Sequence, residues 1–333
     1  MNKRLEKYDL IRTVAMFFTI AVHTMTLATP FVKNFNLNWY FHEILVIIFF
    51  TCNGLFFMLS GKFTFDSESI FSKGFKSYYL EKVIKIVVPL VFYSLIVYIT
   101  KNTFKGDKLD FREYFQGLYQ GNLMSSYWFI YTLLGIYLLA PFLYRMIISL
   151  NKKELKILLL IIFLVQSISI FSGSFIFTGW ISYFFLGFGI EKIIDTKPKV
   201  KLIILLGLIS LIVSMLLLRF FNYSIPGIHD LSLTMVLITS AVFFIIRYFS
   251  VHFKKTGKCI SYFSKYFLSV YLVHEIVLKI VSKIILINNS GYELALKLML
   301  VFLLTLIISF ITGFILDNLI IKPFQKILKS ILL

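Results

Sequence analysis

Arg12 and His23 are the two residues whose types and spacing most directly suggest chemistry. Both lie in one apolar segment, LIRTVAMFFTIAVHTMTLA. A helix turns ~100° per residue, so eleven residues bring the chain back to within ~20° of its starting direction and advance it ~16 Å along the axis. The two side chains are therefore expected on one helical face, with His23 deep inside the segment. Polar side chains in hydrocarbon are costly, so this pair suggests a site.

Each of the two residues has two interpretations. His23 either packs between helices through hydrogen bonds, or acts as a base or proton carrier, because imidazole titrates near neutral pH. Arg12 either extends to the membrane interface as an anchoring cation, or binds phosphate or developing negative charge through its guanidinium group.

Further polar residues occur in other apolar segments. His274 follows the start of its segment by about the same distance as His23 does, which predicts a similar depth. Glu275 is predicted to pair with Lys279, four residues later on the same helix. His42 and Glu43, beside Trp39 and Tyr40, are interpreted as anchors at the membrane interface.

Lys82 and Lys85 lie where a basic loop runs into an apolar segment, in YYLEKVIKIVVPL. At spacing i and i+3 they are expected to share one helical face, either as anchoring cations or as a site for phosphates. Ser60 and Gly61, in FFMLSGKF, indicate either a helix end or a close contact between helices.

The histidines lack metal-ligand spacing with other ligands, so no metal site is predicted. The two cysteines, Cys52 and Cys259, are predicted on opposite sides of the hydrocarbon midline, so no disulfide is expected.

Apolar runs of spanning length recur along the 333 residues, of which 59% are hydrophobic, and the mean hydropathy is +0.87. This predicts an all-α, polytopic membrane protein in which the first segment is a retained span. The ten predicted transmembrane helices are 10–29, 41–61, 83–100, 127–149, 155–172, 176–194, 201–221, 231–249, 264–287 and 295–320. The longest polar stretches, 62–82 and 101–126, are too short for a core of their own, so we expect one membrane-embedded domain over 1–333 and no separate soluble domain.

The net charge of +18 is interpreted as setting orientation rather than as a sign of a nucleic-acid partner. With the N-terminus inside, roughly three quarters of the lysines and arginines fall in segments on the cytoplasmic side. The sequence therefore predicts an even number of spans and two cytoplasmic termini.

Five segments, in order, resemble one known family. They are YDLIRTVAMFFTIAVH with Arg12 and His23, NGLFFMLSGKF with Ser60 and Gly61, YWFIYTLLGIYLLAPFL with Trp128, Tyr131, Tyr137 and Pro141, ISYFFLGFGIEK with Gly187 and Gly189, and SYFSKYFLSVYLVHE with Tyr271 and His274. Together they resemble the integral-membrane acyltransferase family 3. The chain departs from the family where the third span begins, because Lys82 and Lys85 stand in place of two arginines before Pro89 and cannot form a bidentate fork.

This resemblance implies an O-acyltransferase of the plasma membrane, since many bacterial members move acyl groups, often acetyl from acetyl-CoA, to hydroxyls of surface glycans. It implies acyl-CoA as a co-substrate, no permanently bound cofactor, and a surface or lipid-linked glycan as acceptor. His23 and Arg12 are the expected catalytic residues. Arg12, Lys82 and Lys85 are expected to bind acyl-CoA, and Ser60, Trp128, Tyr271 and His274 to bind the acceptor or support the site.

The order of events expected from these residues starts with acyl-CoA entering from the cytoplasm. His23 would then act as general base on an acceptor hydroxyl or briefly carry the acyl group, and the sequence leaves both open. An exporter or flippase of a polysaccharide precursor is the alternative, and a sensor or scaffold is a third. Helices interrupted by Gly or Pro would favour transport, with Pro141 the main candidate. The acyl group and the oligomeric state stay open.

Overall fold

The computed structural model describes residues 3–32, 37–66, 74–172, 179–221, 231–250, 257–285 and 292–332. These residues are almost entirely helical, and no strand occurs among them. The prediction of an all-α protein is thus confirmed.

The helices follow the apolar segments closely. In chain order they are α1 (Lys3–Thr26), α2 (Leu37–Phe65), α3 (Gly74–Lys105), α4 (Phe111–Gln120), α5 (Trp128–Ile148), α6 (Lys152–Ser172), α7 (Ile181–Ile193), α8 (Lys197–Phe221), α9 (Leu233–Phe249), α10 (Gly257–Ser264), α11 (Phe267–Ile285) and α12 (Tyr292–Leu332).

Each of the ten predicted spans overlaps one of these helices, and residues 176–178 and 286–287 of two predicted spans lie outside the described residues. Within the described ranges, five helices are long and apolar enough to cross a membrane: α2, α3, α5 with its preceding turn, α8 and α12. The chain is therefore a membrane protein, while ten crossings and the orientation of the termini stay predictions. Two helices, α4 and α10, lie in stretches predicted to be loops, and α12 runs twelve residues beyond its predicted end at residue 320.

The chain divides into two compact units. The first unit comprises Met1–Ser67 and Phe142–Ser264, and the second comprises Glu68–Pro141 and Lys265–Leu333. In the first unit α2 packs against α1 and α7, and α8 packs against α9. In the second unit α11 packs against α3 and α12. The boundary falls within α5 at Pro141, which lacks the backbone N–H that a helix interior uses. A single domain over 1–333 stays a prediction.

Two glycines allow the backbones of α2 and α7 to touch in the first unit. A Cβ on Gly61 would lie 1.8 Å from the carbonyl oxygen of Phe184, and a Cβ on Gly187 would lie 1.8 Å from that of Met58. Helix α2 continues past Gly61 to Phe65. Of the two interpretations of the Ser60–Gly61 pair, the close helix contact is therefore confirmed and the helix end is wrong.

The second unit is held together by a buried carboxylate at a widened turn. Asp317 begins a π-helical turn, Asp317–Ile321, within α12. Its Oδ1 accepts hydrogen bonds from the Tyr93 hydroxyl on α3 (2.8 Å) and the Ser269 hydroxyl on α11 (2.6 Å). The carboxylate thus joins three helices. A second π-helical turn, Val83–Val87, lies in α3, where the Ile84 carbonyl accepts a hydrogen bond from the α12 side chain Gln325 (2.8 Å).

Helix α4 runs back along α3 instead of forming a polar loop. The Tyr98 hydroxyl donates to the Asp110 carbonyl oxygen (2.8 Å), just before α4 begins. Four residues later, the Tyr114 hydroxyl donates to the Val91 carbonyl oxygen (2.9 Å) and lies 3.1 Å from the Ser94 hydroxyl oxygen. Helix α4 therefore runs antiparallel to α3 and lies beside the apolar part of α3.

We predict that Gly61→Ala destabilises the protein, because the new methyl group would overlap the Phe184 backbone and push α2 and α7 apart. Overpacking of this kind costs about 1–3 kcal/mol. The unfolding temperature of purified protein in detergent measures the loss. Gly135→Ala on α5 is the matched control, because a Cβ there meets no atom within 4 Å. Equal unfolding temperatures for the two variants would contradict the close helix contact.

Candidate active site

Arg12 and His23 lie on one continuous helix. Helix α1 runs unbroken from Lys3 to Thr26. The eleven residues between the two therefore place them on one face, ~16 Å apart along the axis. His23, however, lies in the last turn of the helix and not deep inside it. The helix ends at Thr26, whose hydroxyl donates to the His23 carbonyl oxygen (2.7 Å), and Pro30 lies within the short 3₁₀ turn Thr29–Phe31 that follows.

A buried pair at the start of α2 holds the end of α1 that carries His23. The His42 Nε2 lies 3.1 Å from the Met25 carbonyl oxygen, and its Nδ1 lies 2.9 Å from Glu43 Oε1. His42 and Glu43 are both buried, so their interpretation as interfacial anchors is wrong. The interpretation did not consider that His42 and Glu43 can form a hydrogen bond with each other. Because they do, neither side chain needs water at the membrane interface as a hydrogen-bond partner. A carbonyl oxygen only accepts, so His42 donates to Met25 and ties down the last turn of α1.

Arg12 is held in place by a carboxylate one turn earlier. Its Nη1 donates to Asp9 Oδ1 (2.9 Å), and the Ser261 hydroxyl on α10 donates to the other Asp9 oxygen. The Arg12 guanidinium carbon lies 5.4 Å from the centre of the Phe63 ring. The side chain is 31% exposed, so solvent reaches part of it.

An ion-pair network that the sequence did not predict lies beside Arg12. Glu191, near the end of α7, accepts a hydrogen bond from the Tyr8 hydroxyl (2.6 Å) and pairs with Lys62 (3.1 Å) and Arg247 (2.8 Å). Lys62 also pairs with Asp66 (2.8 Å). The network joins α1, α2, α7 and α9. Its only signal in the sequence was a lone acid near the end of an apolar run, in GFGIEK.

In the second unit, Lys82 and Lys85 have different partners. The Lys82 Nζ lies 3.6 Å from the centre of the Tyr137 ring and 5.3 Å from that of Tyr78, which is a cation–π arrangement. Lys85 pairs with Glu81 (2.9 Å), and its side chain is 64% exposed. A π-helical turn begins directly after Lys82. Because such a turn holds more residues than an α-helical one, the i, i+3 alignment predicted for a regular helix is lost.

His274 is completely buried on α11, and its bonding fixes its tautomer. Its Nδ1 is hydrogen-bonded to the Tyr271 carbonyl oxygen. Because that oxygen only accepts, Nδ1 carries a hydrogen, and in the neutral ring Nε2 carries the lone pair. The Tyr271 hydroxyl in turn donates to the Ser126 carbonyl oxygen. Tyr271 and His274 are therefore brought together, with their ring centres 5.3 Å apart.

Glu275 connects this part of α11 to the turn before α5. Its carboxylate accepts from the Ser125 hydroxyl (2.6 Å) and the Ser126 backbone N–H (2.8 Å). The predicted pair with Lys279 is confirmed at 2.7 Å. The two serines belong to a short 3₁₀ turn, Ser125–Tyr127, directly before Trp128, the first residue of α5. Glu275 therefore sets where Trp128 and the start of α5 lie relative to Tyr271 and His274.

The predicted site residues are divided between the two units. Arg12, His23 and Ser60 belong to the first unit, and Lys82, Lys85, Trp128, Tyr271 and His274 belong to the second. Over the part of the chain that the structure describes, no group of three or more His, Cys, Asp or Glu side chains could hold a metal ion. Cys52 is buried and Cys259 exposed, and the two thiols are not joined.

We predict that Glu275→Ala destabilises the protein by about 2–4 kcal/mol, because a buried backbone N–H and a serine hydroxyl lose a charged acceptor. Lys279→Ala is the control. It removes only the exposed partner of the ion pair, which is worth at most about 1 kcal/mol. Unfolding temperatures of the two variants measure the difference. A loss no greater in Glu275→Ala than in Lys279→Ala would show that the serine turn does not depend on Glu275.

Comparison with protein families identifies the chain. Comparisons with curated proteins and with solved structures give no match. The model of the family Acyl_transf_3, described as an acyltransferase domain, matches residues 5–315 and thus nearly the whole chain. The match includes α1 with Arg12 and His23, the α2–α7 glycine contact, and the α11 segment with Tyr271 and His274. This membrane protein therefore belongs to acyltransferase family 3.

Proposed function

We propose that this membrane acyltransferase moves an acyl group, acetyl in the simplest case, from cytoplasmic acyl-CoA to a hydroxyl of a surface or lipid-linked glycan. The observation that carries the proposal is the pair Arg12 and His23 on one face of α1, in a chain whose family match covers residues 5–315. The proposed location is the plasma membrane with both termini in the cytoplasm. The uneven distribution of lysine and arginine between the predicted loops supports this orientation.

His23 is the proposed reactive base. In direct transfer it would take the proton of the acceptor hydroxyl while the hydroxyl oxygen attacks the thioester carbonyl. The carbon–sulfur bond then breaks, and the CoA thiolate takes up the proton that His23 had accepted. In the two-step alternative the imidazole displaces the CoA thiolate and carries the acyl group. The acceptor hydroxyl then attacks the acyl group, which frees His23, and the hydroxyl proton passes to the thiolate. In both versions the position of the ring matters, and the bond between His42 and the Met25 carbonyl supports it.

Arg12 is the proposed contact for the charged end of acyl-CoA. It lies ~16 Å from His23 along α1, so an extended pantetheine arm can place its phosphates at Arg12 and its thioester at His23. The Asp9 carboxylate keeps the guanidinium group oriented before the donor binds. A guanidinium group can bind phosphate through two parallel hydrogen bonds, and the Arg12 side chain is 31% exposed.

Lys85 is the better placed of the two lysines for a phosphate. Its head group is mostly exposed, whereas that of Lys82 lies over the Tyr137 ring. For Ser60, Trp128, Tyr271 and His274 we propose acceptor binding or support of the site. Of these, His274 has the clearest chemical capacity, because its Nε2 carries the lone pair and can accept a hydrogen bond from a hydroxyl.

Export of a polysaccharide or its precursor is the second candidate function. Interrupted helices favour it: Pro141 lies inside α5, and α3 and α12 each contain a π-helical turn. Release of CoA thiol separates the two functions, because an exporter moves a glycan without consuming acyl-CoA.

We predict that His23→Gln lowers acyl transfer by a factor of about 10²–10⁴, the usual contribution of a general base. Purified protein in liposomes, given acyl-CoA and acceptor, provides the rate, and the unfolding temperature shows whether the variant folds. Ser330→Ala, on the exposed end of α12, is the control and should keep full activity. Full turnover by a folded His23→Gln protein would rule out a catalytic role.

We predict that Lys85→Gln weakens acyl-CoA binding and flattens its salt dependence, because one phosphate contact is lost. Lys105→Gln is the control on the same helix, since Lys105 is exposed at the other end of α3. Binding is measured at several salt concentrations. An unchanged salt dependence in Lys85→Gln would exclude the phosphate contact.

A further inference from the structure

Helix α4 has three distinct faces, and one of them is fixed against the rest of the second unit. On that face Tyr114 is buried against Val91 and Ser94, and Gly117 lies so close to Leu123 that a Cβ would be 2.6 Å from its side chain. The Tyr131 hydroxyl on α5 donates to the Leu118 carbonyl oxygen, which ties the end of α4 to a second helix. The orientation of α4 about its own axis is therefore set.

The second face is a row of exposed aromatic rings. Phe111, Phe115 and Tyr119 are 64%, 62% and 89% exposed. At spacing i, i+4 and i+8 they fall at about 0°, 40° and 80° around the helix, so they form one stripe. We refer to these three residues as the aromatic row.

The third face is polar and lies next to the aromatic row. Arg112, Gln116, Gln120 and Glu113 are exposed and fall between about 100° and 200° around the helix. We refer to them as the polar row. Because one short helix exposes both an aromatic row and a polar row, we expect the two rows to face different environments.

The position of α4 along α3 decides what those surroundings are. Helix α4 begins beside Tyr98 and passes Ser94 and Val91, which lie inside the apolar part of a membrane-spanning helix. At that depth an exposed side chain meets either lipid or a water-filled space within the protein. Aromatic rings are favoured in lipid, whereas a guanidinium group and amides there are costly.

We propose that α4 is a wall between the bilayer and an aqueous access path: the aromatic row contacts lipid and the polar row faces water. The polar row ends at Gln120, five residues before the Ser125–Tyr127 turn that Glu275 and Tyr271 hold. The path thus leads toward this turn and the neighbouring Trp128, which is 37% exposed. The partition stands independently of the activity. That the path admits the hydrophilic acceptor rests on the proposed function.

The partition is tested with nitroxide spin labels in proteoliposomes. Single cysteines replace Phe111, Phe115, Tyr119, Arg112, Gln116 and Gln120 in turn, in a Cys259→Ser background, because Cys52 is buried and Cys259 exposed. Collision with oxygen reports lipid, and collision with a water-soluble nickel chelate reports water. Labels at Met299, exposed on the membrane-spanning α12, and at Lys105 provide the lipid and water references.

We expect the aromatic positions to resemble the Met299 reference and the polar positions the Lys105 reference, with accessibility to nickel differing several-fold between the rows. Six labels of one type, lipid or water, would overturn the partition. Should the aromatic row prove water-accessible, it would be a surface for a soluble partner instead.

The access path is tested separately by replacing side chains of the polar row with bulkier ones. Gln116→Phe and Gln120→Phe should raise the KM for the glycan acceptor several-fold and leave the KM for acyl-CoA unchanged, because only the acceptor uses this path. Phe115→Leu, on the lipid side, should change neither. An unchanged acceptor KM in both glutamine variants would overturn the access path, even where the spin labels support the partition and transfer itself is intact.

Discussion

Carboxylates that are buried or half-buried among the helices must find donors within the protein, because hydrocarbon supplies none, and three of them hold the helices in place. Glu191 joins α1, α2, α7 and α9 through Tyr8, Lys62 and Arg247. Glu275 joins α11 to the turn before α5, and Asp317 joins α3, α11 and α12. Each carboxylate accepts two or more hydrogen bonds or ion pairs. Removing one would leave several buried donors without an acceptor, which makes these positions costly to change.

Hydrogen bonds and ion pairs of the same kind hold the residues of the proposed site in place. Beside the Glu191 network, Arg12 is held by Asp9, and at the other end of α1 the bond from His42 to Met25 fixes the turn that carries His23. The proposed contact for acyl-CoA and the proposed reactive base thus lie on one helix. Asp9 holds the first, and His42 holds the turn that carries the second. In the second unit, the Tyr271 carbonyl leaves His274 with a basic Nε2 in a fully buried setting.

What could be predicted from the sequence depends on how local each interaction is. The shared face of Arg12 and His23 and the pair of Glu275 with Lys279 follow from helix geometry alone, and both occur. Glu275 also binds Ser125 and Ser126, about 150 residues away, which no spacing rule relates. Lys82 and Lys85 diverge because of a widened turn, and widened turns follow from packing against neighbouring helices rather than from periodicity. The route of α4 was likewise hidden, since FREYFQGLYQ is too polar to be predicted as part of a membrane-embedded structure.

Transfer of an acyl group from acyl-CoA to a glycan is the function proposed for this family 3 protein. The most direct measurement uses purified protein in liposomes, acetyl-CoA labelled in its acetyl group, and a surface-glycan extract. It counts the CoA thiol released and the label recovered in glycan. We expect one labelled acetyl ester for each thiol released, and we expect both products to require both substrates. Glycan movement across the liposome membrane without release of CoA thiol would contradict it.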